Sequence, residues 1–66
     1  MNIIVNGETR QVQDSTTLQR LICDLSIQDK VMAVSINMQI IKKDKWSETI
    51  LLNDDKIELL EFVGGG

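Results

Sequence analysis

An α+β fold, with one helix packed across a mixed sheet of four to five strands, is predicted by three features of the chain. The β-branched run Asn2 to Val5 meets the dipeptide Asn6-Gly7, a single amphipathic stripe follows at Leu18, Leu21, Ile22 and Leu25, and an apolar run returns at Lys56 to Val63. Strand, helix and strand in that order ask for a helix lying on one face of a sheet. The 66 residues leave room for one domain, predicted over 1–63, followed by a flexible glycine tail at 64–66. A domain of this size buries only about 60% of the surface of its unfolded chain.

The elements follow in sequence. In Asn2 to Val5, Ile3 and Val5 share one face and Ile4 takes the other, because side chains alternate along a strand. Asn6-Gly7 suits a two-residue hairpin turn, whose central positions both need positive φ, so Glu8 to Gln13 is predicted to return as the second strand. Asp14 to Thr17 is a polar cluster of the kind that starts helices. Thr16 with Gln19 has capping-box spacing, and Thr17 competes as the cap. The stripe beginning at Leu18 has offsets of zero, three, four and seven, predicting a helix of about three turns.

Met32 to Ile36 reads as the next strand, with Val34 and Ile36 on one face and Asn37 at its end. Ile40 and Ile41 suggest a short fourth strand or an extended turn. Trp46, isolated within a charged stretch, is expected as a core anchor or loop cover. Asn53-Asp54-Asp55 is a turn signal, which accounts for its aspartates without a metal. Lys56 to Val63 is then the final strand. The first and last strands are expected as central parallel neighbours, since a parallel pair needs a long crossover and the helix supplies one. That arrangement is a β-grasp.

Composition narrows the function. Ten acidic and seven basic side chains give a net charge of −3, without the positive field that draws a protein to phosphates, so no nucleic-acid partner is expected. Asp44, Glu48, Asp54, Asp55, Glu58 and Glu61 stand against Lys45 and Lys56 from position 44 onward, which would steer a basic partner surface toward the C-terminal half. No stretch approaches the roughly 20 apolar residues of a membrane span, no signal peptide is evident, and the lone Cys23 suits a reducing compartment. A cytoplasmic location is expected. With no histidine and one cysteine, the chain cannot assemble a zinc site or a Cys-His pair. Cys23, beside the apolar stripe, is expected as a small half-buried thiol. Lys42, Lys43 and Lys45 read as a solvated basic loop.

In the last strand Ile57 and Leu59 share a face. If they meet the helix, Leu60 and Phe62 face solvent. Ile4 on the neighbouring strand would join them in an apolar docking patch beside the tail, since exposed patches of this kind mark interfaces. The glycines Gly64, Gly65 and Gly66 lack any side chain that could pack, and three extended residues reach roughly 10 Å. Such a tail can thread a narrow channel.

Taken together, Asn6-Gly7, the Thr17-Leu18 helix start, Asn37, Trp46, the Asp55-Lys56-Ile57 turn and terminal Gly65-Gly66 resemble the ThiS family, the ubiquitin-like sulfur carriers of thiamine biosynthesis. Two positions depart from the family pattern: Ile41-Lys42-Lys43 stands where a Val-Pro-Arg-like motif is usual, and Asp54 where glycine is common. The resemblance implies a carrier that serves as a co-substrate and is not itself an enzyme. A ThiF-like adenylyltransferase using ATP would activate the Gly66 carboxylate, with no cofactor bound by the carrier. A sulfur donor such as a cysteine desulfurase or a rhodanese would convert it to a thiocarboxylate, and thiazole synthase ThiG would take the sulfur. A molybdopterin-type sulfur carrier, a ubiquitin-like interaction module and a conjugating modifier are the alternatives.

Overall fold

The computed structural model describes residues 1–61, which form five strands, one α-helix and one 3-10 helix. The elements are β1 (Asn2–Val5), β2 (Glu8–Gln11), α1 (Leu18–Asp24), β3 (Val31–Ile36), β4 (Gln39–Ile41), a 3-10 helix (Lys43–Glu48) and β5 (Lys56–Glu61). The sheet order is β2-β1-β5-β3-β4. β1 and β5 are the parallel pair and every other pairing is antiparallel. This is the ubiquitin-like β-grasp that the sequence predicts, with the fourth strand present.

The β1–β2 hairpin turns at Asn6 (φ 48°) and Gly7 (φ 84°), the two positive values that a tight twisted turn demands. A side chain at Gly7 would meet nothing within 4 Å, so backbone conformation and not space selects glycine there. β2 ends at Gln11, two residues short of the predicted Gln13, and the chain turns through Ser15 at φ 70°.

Helix α1 is shorter than its stripe predicts, with seven residues. Thr17 caps it, accepting a hydrogen bond from the Arg20 N–H at 3.1 Å. Thr16 instead donates its hydroxyl to the Gln13 carbonyl at 2.6 Å, so the Thr16-Gln19 capping box does not form. At the other end the Ser26 N–H bonds the Cys23 carbonyl, and the Ile27 N–H bonds the Ile22 carbonyl. Ser26 has φ 59°, completing the left-handed C-terminal motif usually built on glycine. Leu25 belongs to that cap and is only partly buried against the core.

The core joins Ile3 and Val5 of β1, Leu18, Leu21 and Ile22 of α1, Val34, Trp46, Leu51, Ile57 and Leu59. Trp46 is 2% exposed and donates its indole N–H to the Ile41 carbonyl at 3.1 Å, which satisfies its polar edge. It is the core anchor, presented by the 3-10 helix. Backbone bonds from Leu18 N–H to the Thr49 carbonyl and from Leu51 N–H to the Thr16 carbonyl, both 2.8 Å, tie this crossover to the start of α1.

β3 carries a register shift between Val31 and Ala33. Beyond it Val34 is buried and Ile36 packs against the core, whereas Met32 within the shift is 61% exposed. One extra residue in a strand breaks the strict alternation of faces. Among the described residues no helix is long and apolar enough to cross a membrane.

Candidate functional site

β5 lies at the centre of the sheet and leads into residue 62. It alternates as far as Leu60, with Ile57 and Leu59 buried in the core and Glu58 and Leu60 exposed, and Glu61 at its end is exposed as well. Leu60, 61% exposed, pairs with Ala33 on the face away from α1. Ile4, half-buried, shares that face, but the register sets it opposite Lys56. Four residues of strand span about 13 Å, so Ile4 sits at the end of β5 remote from residue 62 and does not adjoin Leu60. The neighbour of Leu60 on β3 is Ala33; Ile40, 74% exposed, stands across Ser35 in line with Glu58, and Met32, 61% exposed, lies within the β3 register shift. Phe62 and the glycines Gly64, Gly65 and Gly66 lie outside the described residues, as does the 63/64 domain boundary.

Two asparagines hold β5 from either side. Asn6 accepts the Leu59 N–H at 2.8 Å on Oδ1 and donates Nδ2 to the Leu59 carbonyl at 3.4 Å. Asn37, at φ 51° in the β3–β4 turn, accepts the Lys56 N–H at 3.0 Å and donates its own N–H to the Lys56 carbonyl at 2.8 Å. The Asn37 Nδ2 also reaches Asp55 Oδ1 at 2.9 Å, while Asp55 Oδ2 accepts the Leu52 N–H at 2.8 Å. Asp55 is 8% exposed, and these donors compensate a buried carboxylate. Sequence reading recognised both asparagines only as turn residues. The remaining clue is that each turn uses a carboxamide where aspartate or glycine would also tolerate the backbone.

Cys23 is exposed, not half-buried as expected, because five residues past Leu18, at about 100° per residue, it falls on the helix face turned away from Leu18, Leu21 and Ile22. Its sulfur accepts a weak contact from Gln19 Nε2 at 3.5 Å. Arg20, the neighbouring cation, is turned to Asp24 at 3.1 Å. Among the described residues no group of three or more His, Cys, Asp or Glu converges on one point. What this arrangement provides is therefore a platform: a gripped central strand, the exposed Leu60 near its far end, and Glu58 and Glu61 exposed along it.

The family model of the ThiS family matches residues 3–66. The sulfur carrier protein ThiS of Bacillus subtilis is 35% identical over 63 residues, covering 94% of this chain and 96% of that protein. A thiazole synthase of Paramagnetospirillum magneticum is 32% identical over 66 residues, and there this chain spans only 20% of the relative's length. The crystal structure of the thiamine biosynthesis protein ThiS from Geobacter metallireducens superimposes with a TM-score of 0.82 at 28% identity, each chain covered in full. A match running from the first strand through the last glycine, joined to the same β-grasp, establishes that this chain belongs to the ThiS family of thiamine biosynthesis.

Proposed function

We propose that the chain is a sulfur carrier whose working group is the carboxylate of Gly66. The observation that carries this reading is the match to a sulfur carrier across 96% of that protein's length, with the family model extending to residue 66. A carboxylate is a poor electrophile and needs a leaving group before sulfur can replace one of its oxygens. In the proposed cycle, a ThiF-like adenylyltransferase directs the Gly66 carboxylate to the α-phosphorus of ATP, and pyrophosphate departs. The terminal sulfur of a persulfide on a donor of the desulfurase or rhodanese type then attacks the acyl carbon and AMP leaves, and a second thiol cleaves the resulting acyl disulfide, forming a disulfide with the donor's sulfur as it releases the carrier's thiocarboxylate. The resulting thiocarboxylate passes its sulfur to a thiazole synthase. The relatives in which a segment like this chain occupies 20% of a thiazole synthase support that last partnership.

The docking surface in this reading is the solvent-facing side of β5 at Leu60, without Ile4, whose partner is Lys56 at the other end of the strand; Phe62, which the sequence assigns to the same surface, lies outside the described residues. Aromatic and aliphatic anchors of this kind dominate protein interfaces. The carrier acts as a co-substrate, binds no cofactor itself, and works in the cytoplasm, where the free Cys23 stays reduced.

Intact-mass spectrometry tests the chemistry. Incubation with adenylyltransferase, ATP and sulfur donor should add about 16 Da, one oxygen exchanged for sulfur. Deletion of Gly65-Gly66 should abolish that gain and leave the fold unchanged. A mass that stays constant for the intact chain, or a gain that persists after the deletion, refutes the proposal. A covalent adduct with a target lysine would instead reveal a conjugating modifier.

A further inference from the structure

The last two backbone pairs between β1 and β5 are Ile4 with Lys56 and Val5 with Ile57. Their hydrogen bonds run from the Ile4 N–H to the Asp55 carbonyl and from the Asn6 N–H to the Ile57 carbonyl, both at 2.9 Å. The chain then leaves the sheet through the Asn6-Gly7 turn, and the next groups of β5 on that edge, the N–H and carbonyl of Leu59, have no backbone opposite them. The Asn6 carboxamide meets both, at 2.8 and 3.4 Å. A carboxamide carries an acceptor and a donor in one plane, as a peptide group does, so one side chain continues β1 past its own end.

We propose that Asn6 is a positioning residue for sulfur carriage: by bonding both backbone groups of Leu59, it fixes the register and direction in which β5 delivers the C-terminal tail to the activating enzyme. The proposal rests on the carrier reading above. Turn geometry alone does not require asparagine, since glycine adopts positive φ at no cost. Aspartate would keep the acceptor for the Leu59 N–H but set its second oxygen against the Leu59 carbonyl. Without the carboxamide, β3 holds this part of β5 from one side only, through Val34 opposite Leu59. The strand end then gains freedom that binding must remove, and affinity falls in proportion to the fraction of time the tail points correctly. Maximal rate, which depends on the chemistry after docking, is spared.

Asn37 supplies the control, because it grips β5 at Lys56, the end remote from residue 61, through its carboxamide oxygen and its own backbone N–H. The experiment compares wild type, Asn6→Gly, Asn6→Asp and Asn37→Gly by amide hydrogen exchange and by ATP–pyrophosphate exchange with the adenylyltransferase. In Asn6→Gly the Leu59 amide should exchange about tenfold faster while that of Ile22 changes only with global stability. KM for the carrier should rise about fivefold at unchanged kcat. Asn6→Asp should raise KM in the same direction, and serves if the glycine variant does not fold. Asn37→Gly should lower the urea midpoint yet leave KM within about twofold of wild type. Unaltered KM in both Asn6 variants, or a KM that tracks lost stability equally in the Asn6 and Asn37 variants, overturns the proposal. A wild-type chain that is not adenylated overturns the carrier reading and this proposal together, whereas an active wild type beside unaltered Asn6 variants overturns this proposal alone.

Discussion

At the scale of single residues, the structure is governed by where left-handed backbone is placed without glycine. Asn6, Ser15, Ser26, Asn37, Met38 and Asp54 all have positive φ. For asparagine and aspartate the conformation is tolerable, but for serine and methionine it costs roughly 1–2 kcal/mol. Ser26→Gly and Met38→Gly should therefore each stabilise the protein by about 1 kcal/mol, measured as a higher urea midpoint at constant m-value. Met38 is 83% exposed, so little packing is lost on its removal. The turns at Asn6-Gly7 and Asp54 were legible because their residue types advertise positive φ. The cap at Ser26 and the second turn position at Met38 were not, since neither residue carries the signal and tertiary contacts impose the conformation. The choice between Thr16 and Thr17 as helix cap was equally hidden, because both spacings satisfy the local rule. It is decided by the Leu18 and Leu51 backbone bonds that set where the chain enters α1. Thr17→Ala should cost about 1 kcal/mol, and Thr16→Ala distinctly less.

At the scale of elements, the crossover from β4 to β5 carries more of the core than its composition suggests. Lys42 to Lys45 is a charged run, yet the 3-10 helix it begins places Trp46 at 2% exposure. Trp46→Ala should destabilise by about 3–5 kcal/mol. The whole domain is worth roughly 3–10 kcal/mol at its length, so chemical denaturation should find the variant largely unfolded. The register shift in β3 predicts the opposite for Met32: Met32→Lys should change stability by less than about 0.5 kcal/mol, despite its place in an apolar strand. Sequence alternation located the strands but could not locate an inserted residue, because a bulge is a property of the pairing and not of one strand. The same limit explains Ile4. Its face was legible from alternation, but its distance from Leu60 depends on the β1–β5 register, which no local pattern encodes.

At the scale of the whole molecule, the exposed side of the sheet carries Leu60 and Ile40 with the acidic Glu58. An activating enzyme that reads this face should present an apolar centre with basic surroundings. Leu60→Asp should leave the urea midpoint nearly unchanged, because the side chain is largely solvated, yet raise KM for adenylation at least tenfold by placing a charge in the contact. Phe62→Asp should act in the same sense. A Leu60→Asp protein activated as efficiently as wild type would remove this face from consideration as the docking surface.

The parallel pairing of β1 with β5 has a practical corollary. Because the two strands run the same way, Met1 lies beside the beginning of β5, where the Asn2 carbonyl accepts the Asp54 N–H. The far end of β5 is about 16 Å further along. A fluorophore, affinity handle or bulky fusion attached ahead of Met1 thus emerges at the pole opposite Glu61, the last described residue of β5, and under the proposed carrier function should leave adenylation undisturbed.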